Sequence, residues 1–167
     1  RKESHRAWGE NRSDAGIRGD FFKTETFEET GGRTTRTTLT VAGRTLTSTT
    51  RRHPDIDTVW TTEHLLKSKE DIQAYLQLPD EVFAETIDCA PLLEEENKLG
   101  ERGIVMVDTE DPICAAAVLF SMEDFTVLAL TEQKLFHQLL EKLARHIQAR
   151  TEQVSRQFPG RLWRIYC

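Results

Sequence analysis

Cysteine is scarce in this sequence: Cys89, Cys114 and Cys167 are the only three in 167 residues, and no two of them form a CxxC pair. That odd count argues against a disulfide framework, supplies no metal spacing of its own and suits a reducing compartment. Long apolar runs are also missing. None approaches the roughly 18 residues that span a bilayer, and the polar, arginine-rich N-terminus lacks the apolar segment of a signal peptide. A cytoplasmic protein without membrane contact is expected. Positive charge is in deficit, with a net charge of -6, which argues against nucleic acid as the main partner. There is no glycine-rich phosphate loop, no HExxH and no GxSxG turn, so the enzyme classes those motifs signal lose support.

What is present is an ordinary globular composition, 38% hydrophobic and 30% charged. A chain of this length buries roughly 70% of its unfolded surface, enough for one domain with a core. Residues 1–20 are rich in Arg, Asp, Ser and Gly, with Trp8 and Ile17 as the only large apolar groups, and read as loop or disordered. From Phe21 the composition turns to threonine interspersed with Phe, Leu and Val, which favours strands. Gly31-Gly32 and Ala42-Gly43 divide it at nearly equal intervals. A three-stranded β-meander follows, over about 22–30, 33–41 and 44–52, within a unit spanning 21–62.

Residues 63–167 carry a different rhythm. Ser68 and Asp71 have capping-box spacing, and Ile72, Tyr75 and Leu76 then share a helical face until Pro79 ends it. A second helix is expected near 81–85, and a third over LLEEENKL, with Pro91 in its first turn, Gly100 at its end and Glu94 to Glu96 as a solvated face. The run GIVMV, 103–107, reads as a strand buried on both faces, with the acidic DTED as its carboxyl-end loop. Ser121 with Asp124 starts one helix, and Thr131 a longer one whose apolar positions Leu135, Phe136, Leu139, Leu140, Leu143, Ile147 and Val154 keep helical spacing. Pro159-Gly160 ends that helix and LWRIYC returns as a strand. Strand, helices, strand is a crossover, so the second half is α/β with parallel strands. With Arg1 first and a strand running to the last residue, the chain reads as a piece of a longer protein.

In parallel βα architectures reactive loops sit at the carboxyl ends of strands, which selects Asp108, Glu110 and Asp111 as candidate substrate-binding residues. Asp111 before Pro112 equally suits the N-cap of the next helix. Cys167, at the end of the last strand, is either a thiolate ligand or a buried small hydrophobe. Cys114 lies among alanines and reads as packing, and His64 as a structural histidine. His137 and His146 are nine apart, too far for an i, i+4 metal pair, and His53 sits in a turn. No catalytic residue and no metal ligand is assigned.

Two segments carry a resemblance. LTVAGRTLTS is similar to the "TPxGTLT" hairpin, and W-x-x-EHLLKSKEDIQAY to the "EHxIKSxEDY" segment, of the uroporphyrinogen decarboxylase superfamily. After them come a strand, a proline loop, a small-residue helix, SMEDF and a long helix, in that superfamily's order. From Thr34 onward the chain resembles its methyltransferase-like branch. The resemblance implies a portion of a (β/α)₈ TIM-type barrel, a fold that typically needs about 250 residues. It further implies an enzyme acting on a corrinoid-bound or otherwise activated methyl group of a small-molecule substrate. A corrinoid protein is an implied partner, and zinc an implied cofactor of the whole protein; the superfamily's zinc ligands, a His-x-Cys pair and a later cysteine, are not in this chain. The decarboxylase motif "GxPWTLxxY" is not kept. Aligned on Pro112, the chain has Ile113, Cys114 and Ala115, with Val118 at the tyrosine, which counts against porphyrinogen decarboxylation. A diverged decarboxylase-like protein and a non-catalytic binding module are the alternatives, and the meander could serve as a homodimer contact.

Overall fold

The computed structural model describes residues 16–29, 31–56 and 58–166. Expectations for 1–15, including Trp8, and for Cys167 lie outside the described residues. The described residues form an α/β structure with one antiparallel and one parallel sheet. No closed barrel is present among them.

The meander has one strand more than the sequence suggested. Strands β1 (Phe22–Glu29), β2 (Gly32–Val41), β3 (Arg44–Arg52) and β4 (Val59–Glu63) pair in sequence order, all antiparallel. Ala42 and Gly43, with φ of 50° and 73°, make the two-residue turn between β2 and β3, and their positive φ matches the strand twist. Gly32 is required by contact: a Cβ there would lie 2.2 Å from the Arg52 carbonyl oxygen. Phe22, Leu39 and Leu46 align across three strands and are buried with Val41 against helix α1 (Lys69–Leu76). Farther along the strands the same face carries Thr26, Thr35, Thr50 and Thr61 in register, none of them buried. Only the turn-proximal end of the sheet therefore belongs to the core.

The second half holds α2 (Ala90–Leu99), β5 (Met106–Glu110), α3 (Pro112–Ala117), α4 (Met122–Thr131), α5 (Gln133–Gln157) and β6 (Leu162–Tyr166). Strands β5 and β6 are parallel, as the crossover predicted. Three boundaries differ from the sequence reading. The segment near 81–85 is a single 3₁₀ turn, Asp80–Phe83. Thr131 ends α4 instead of starting α5. The strand expected over 103–107 starts three residues later, so Asp108 and Glu110 lie within β5 and not in a loop after it. Burial explains the displacement: Ile104 is 72% exposed, whereas Val107 and Thr109 are buried. The strand is therefore covered on one face, and the acidic residues belong to its alternation.

Two clusters of buried side chains result. The larger joins the inner end of the meander to α1, α3, α4 and the first half of α5, with Leu66, Ile72 and Leu139 fully buried. The smaller gathers Ile87, Cys89, Val107, Val154 and Phe158 beneath β5. Helix α5 spans both. Among the described residues no helix is long and apolar enough to cross a membrane.

Candidate functional site

The segment from Glu63 to Asp71 is a fastening. Ser68 caps α1 by accepting from the Asp71 amide at 3.2 Å. Asp71, itself buried, accepts from Arg44 Nη2 at 2.7 Å and from the Lys67 amide at 3.0 Å. Burial alone would raise the Asp71 carboxyl, but the Arg44 guanidinium, the Lys67 amide and the Ser68 hydroxyl together hold it below the usual carboxylate range. Glu63 accepts from the Thr47 and Thr49 hydroxyls at 2.6 and 2.9 Å, and Lys67 Nζ donates to the Thr47 carbonyl at 2.9 Å. The Thr47 hydrogen bond leads the contributions that lower the Glu63 carboxyl. Glu63, Lys67 and Asp71 thus bind β3 of the meander to the start of α1, which Ser68 caps.

The three acidic candidates do not converge. Asp111 is the N-cap of α3, where Oδ1 accepts from the Cys114 amide at 2.8 Å. Glu110, at the end of β5, lies 3.6 Å from Arg150 Nη2 of α5. Asp108 faces Arg164, its partner in register on β6; Arg164 Nε donates to Oδ1 at 2.9 Å and Nη2 donates to Oδ2. Met106 pairs with Leu162 two residues earlier on the same face, and both are exposed. Val107 packs into the smaller cluster with Val154 of α5 and Phe158, the residue that follows the helix. Asp108, Arg164, Met106 and Leu162 therefore lie on the face of the parallel pair turned away from α5. Arg164 was absent from the sequence reading, since only the register of β6 against β5 brings it to Asp108.

A second concentration of polar groups follows α5. Lys142, His146, Arg150, Gln153 and Gln157 recur at helical spacing along one ridge that faces residues 78–89 and the end of β5. Buried Lys142 Nζ donates to the Leu78 carbonyl at 2.7 Å and to Asp80 Oδ1 at 2.9 Å. The Lys142 hydrogen bond is the largest of the influences that lower the Asp80 carboxyl. His146 stacks on Phe83 with centroids 4.4 Å apart and lies 3.6 Å from Asp80. Gln153 and Gln157 exchange hydrogen bonds of 2.7–3.3 Å with the backbone of Glu85, Ile87 and Cys89, holding that stretch against the helix as a neighbouring strand would. Between the two clusters this ridge borders a groove of about 550 Å³, lined also by Phe83, Leu143, Ile147 and Glu110. The i, i+4, i+8 recurrence of Lys142, His146 and Arg150 was the signal available in the sequence.

The remaining candidates have structural settings. His64 Nδ1 is 3.5 Å from the Val118 carbonyl, and Cys114 is half-buried. Burial, and then Asp88, raises the Cys89 thiol, so it is a poor thiolate. Among the described residues no group of three His, Cys, Asp or Glu side chains is arranged to hold a metal ion. No family model, no curated protein and no solved structure matches this chain.

Proposed function

We propose that this chain is a portion of a (β/α)₈ barrel of the uroporphyrinogen decarboxylase superfamily, on its methyltransferase-like branch. On this reading it takes part in transfer of a corrinoid-bound or otherwise activated methyl group in the cytoplasm. The observation that carries the proposal is the β5–β6 parallel pair, with α5 over one face and Asp108 beside Arg164 on the other. Closing such a pair into a barrel turns the uncovered face inward, where substrates are held near the carboxyl ends of the strands. Support also comes from the order of elements, a hairpin followed by a Ser-capped helix and a strand-helix-strand crossover.

Methyl transfer needs donor and acceptor held in line, and the chain's own residues would supply that positioning. Zinc, bound elsewhere in the protein, would lower the pKa of an acceptor thiol. Its ligands would come from outside the described residues. Glu110, beside Arg150 and lining the groove along α5, lies outside the proposed substrate face. Asp111, engaged at the helix cap, has no part in the proposed chemistry.

The test is methyl transfer from methylcobalamin to a thiol by the full-length protein. Arg164→Ala should lower kcat/KM by about 10- to 100-fold, the value of one charge-assisted hydrogen bond, with the urea midpoint unchanged. An unaltered rate removes this face from the site.

A further inference from the structure

We propose that Arg164 is an oxyanion-recognition residue on the uncovered face of β5–β6, and that Asp108 positions it without itself touching the ligand. The inference rests on the reading of that face as substrate-facing and reverses the role the sequence suggested for Asp108.

A guanidinium offers two edges that can hold a carboxylate in a two-point grip: the Nε–Nη side and the Nη1–Nη2 end. Asp108 occupies the side edge, with Nε donating to Oδ1 at 2.9 Å and Nη2 donating to Oδ2. The end edge is left with Nη1 and the second N–H of Nη2, and Arg164 has no other partner among the described residues. Two-point pairing fixes the plane of the guanidinium, so the end edge has a set direction before any ligand arrives. The strand register supports that fixity, because Asp108 and Arg164 are direct partners in the ladder.

The surroundings suit a ligand that is anionic at one end and apolar at the other. Met106 and Leu162, the next pair on the same face, are 39% and 56% exposed. Glu110 would repel an anion, but Arg150 lies 3.6 Å from it and offsets its charge. An exposed cross-strand pair of this kind adds only about 0–1 kcal/mol to stability, so little of the fold depends on it. A carboxylate, a phosphate or a sulfonate on the substrate would be read by the same edge.

Benzoate, inorganic phosphate and benzylammonium serve as probes of the purified full-length protein, with the ¹⁵Nε–¹Hε resonance of Arg164 as the readout. Saturable shifts with benzoate and none with benzylammonium are expected; comparable shifts with both, or none with either anion, overturn the proposal. Phosphate shifting the resonance as strongly as benzoate assigns recognition to the oxyanion alone, and a stronger benzoate response adds the apolar contact of Met106 and Leu162. Arg164→Lys and Arg164→Gln, followed through a second resonance on β5, should each weaken benzoate binding at least tenfold. Unchanged affinity in both contradicts recognition by Arg164.

Asp108→Ala separates positioning from competition. Removing a neighbouring negative charge should strengthen anion binding if Asp108 only competes for the guanidinium. A positioning role requires at least threefold weaker binding, with partial recovery in Asp108→Glu, and tighter binding refutes it. Benzoate binding needs no methyl donor. Binding without methyl transfer therefore refutes the proposed function alone, whereas methyl transfer without binding refutes the role of Arg164.

Discussion

Two aspartate–arginine pairs in this protein, Asp71 with Arg44 and Asp108 with Arg164, join different elements in opposite settings. The first lies at the junction of the antiparallel sheet and α1, where the Asp71 side chain is 7% exposed; the second lies on the uncovered face of the parallel pair, where Asp108 is 39% and Arg164 56% exposed. Burial makes the first a structural commitment, because removing Arg44, itself 46% exposed, strands the buried Asp71 carboxylate without its charged partner. Exposure leaves the second free to serve something other than folding. The same chemistry thus separates the fastening of the fold from its candidate site.

Mutations can break that contrast. The largest loss is expected in the larger core cluster: Leu139→Ala removes a fully buried side chain of α5 and should cost about 2–5 kcal/mol in urea unfolding. Asp71→Ala should follow at about 2–3 kcal/mol, from the lost charged hydrogen bonds. Asp108→Ala, in contrast, should change stability by less than about 0.5 kcal/mol, as surface substitutions usually do. A cost at Asp108 equal to that at Asp71 would end the distinction. Ser68→Ala, which removes only a cap, should cost about 1 kcal/mol.

Acid should weaken the junction of meander and α1. Asp71 and Glu63 both have carboxyls lowered in the folded protein. Such groups contribute stability that is present above their unfolded pKa values of about 4 and is lost as pH falls through the lower folded values, since the unfolded chain then binds more protons. The junction of meander and α1 should therefore loosen below about pH 4. Hydrogen exchange at the Asp71 and Ile72 amides would report it. Asp71→Ala should flatten the stability–pH curve in that window, and an acid limb identical to that of the unaltered protein would place the titrating groups elsewhere.

The regularities of the fold that were legible in the sequence were local ones. Gly31-Gly32 and Ala42-Gly43 placed two turns, Ser68 and Ser121 placed two helix starts, and the apolar spacing of Phe136, Leu139, Leu143 and Val154 marked the buried stripe of α5. Strand β4 escaped because it is an exposed edge, with Val59 and Trp60 each 56% exposed and no alternation of burial to signal it. Strand β5 was displaced because a continuous apolar run suggested a strand covered on both faces, whereas Ile104 lies outside it and the alternation passes through Asp108 and Glu110. Partners distant in sequence were invisible altogether. Arg164 lies 56 residues from Asp108, and Lys142 lies 62 from Asp80. Each pairing depends on a chain crossing that no local pattern announces.

The measurement that bears most directly on the account is paired: methyl-transfer kcat/KM and urea stability of Arg164→Ala and Asp71→Ala in the full-length protein. Arg164→Ala should lose about 10- to 100-fold in rate at unchanged stability, and Asp71→Ala should lose stability while the molecules that remain folded keep their rate. An unchanged rate in Arg164→Ala, or a stability loss there equal to that of Asp71→Ala, would contradict the assignment of one pair to function and the other to the fold.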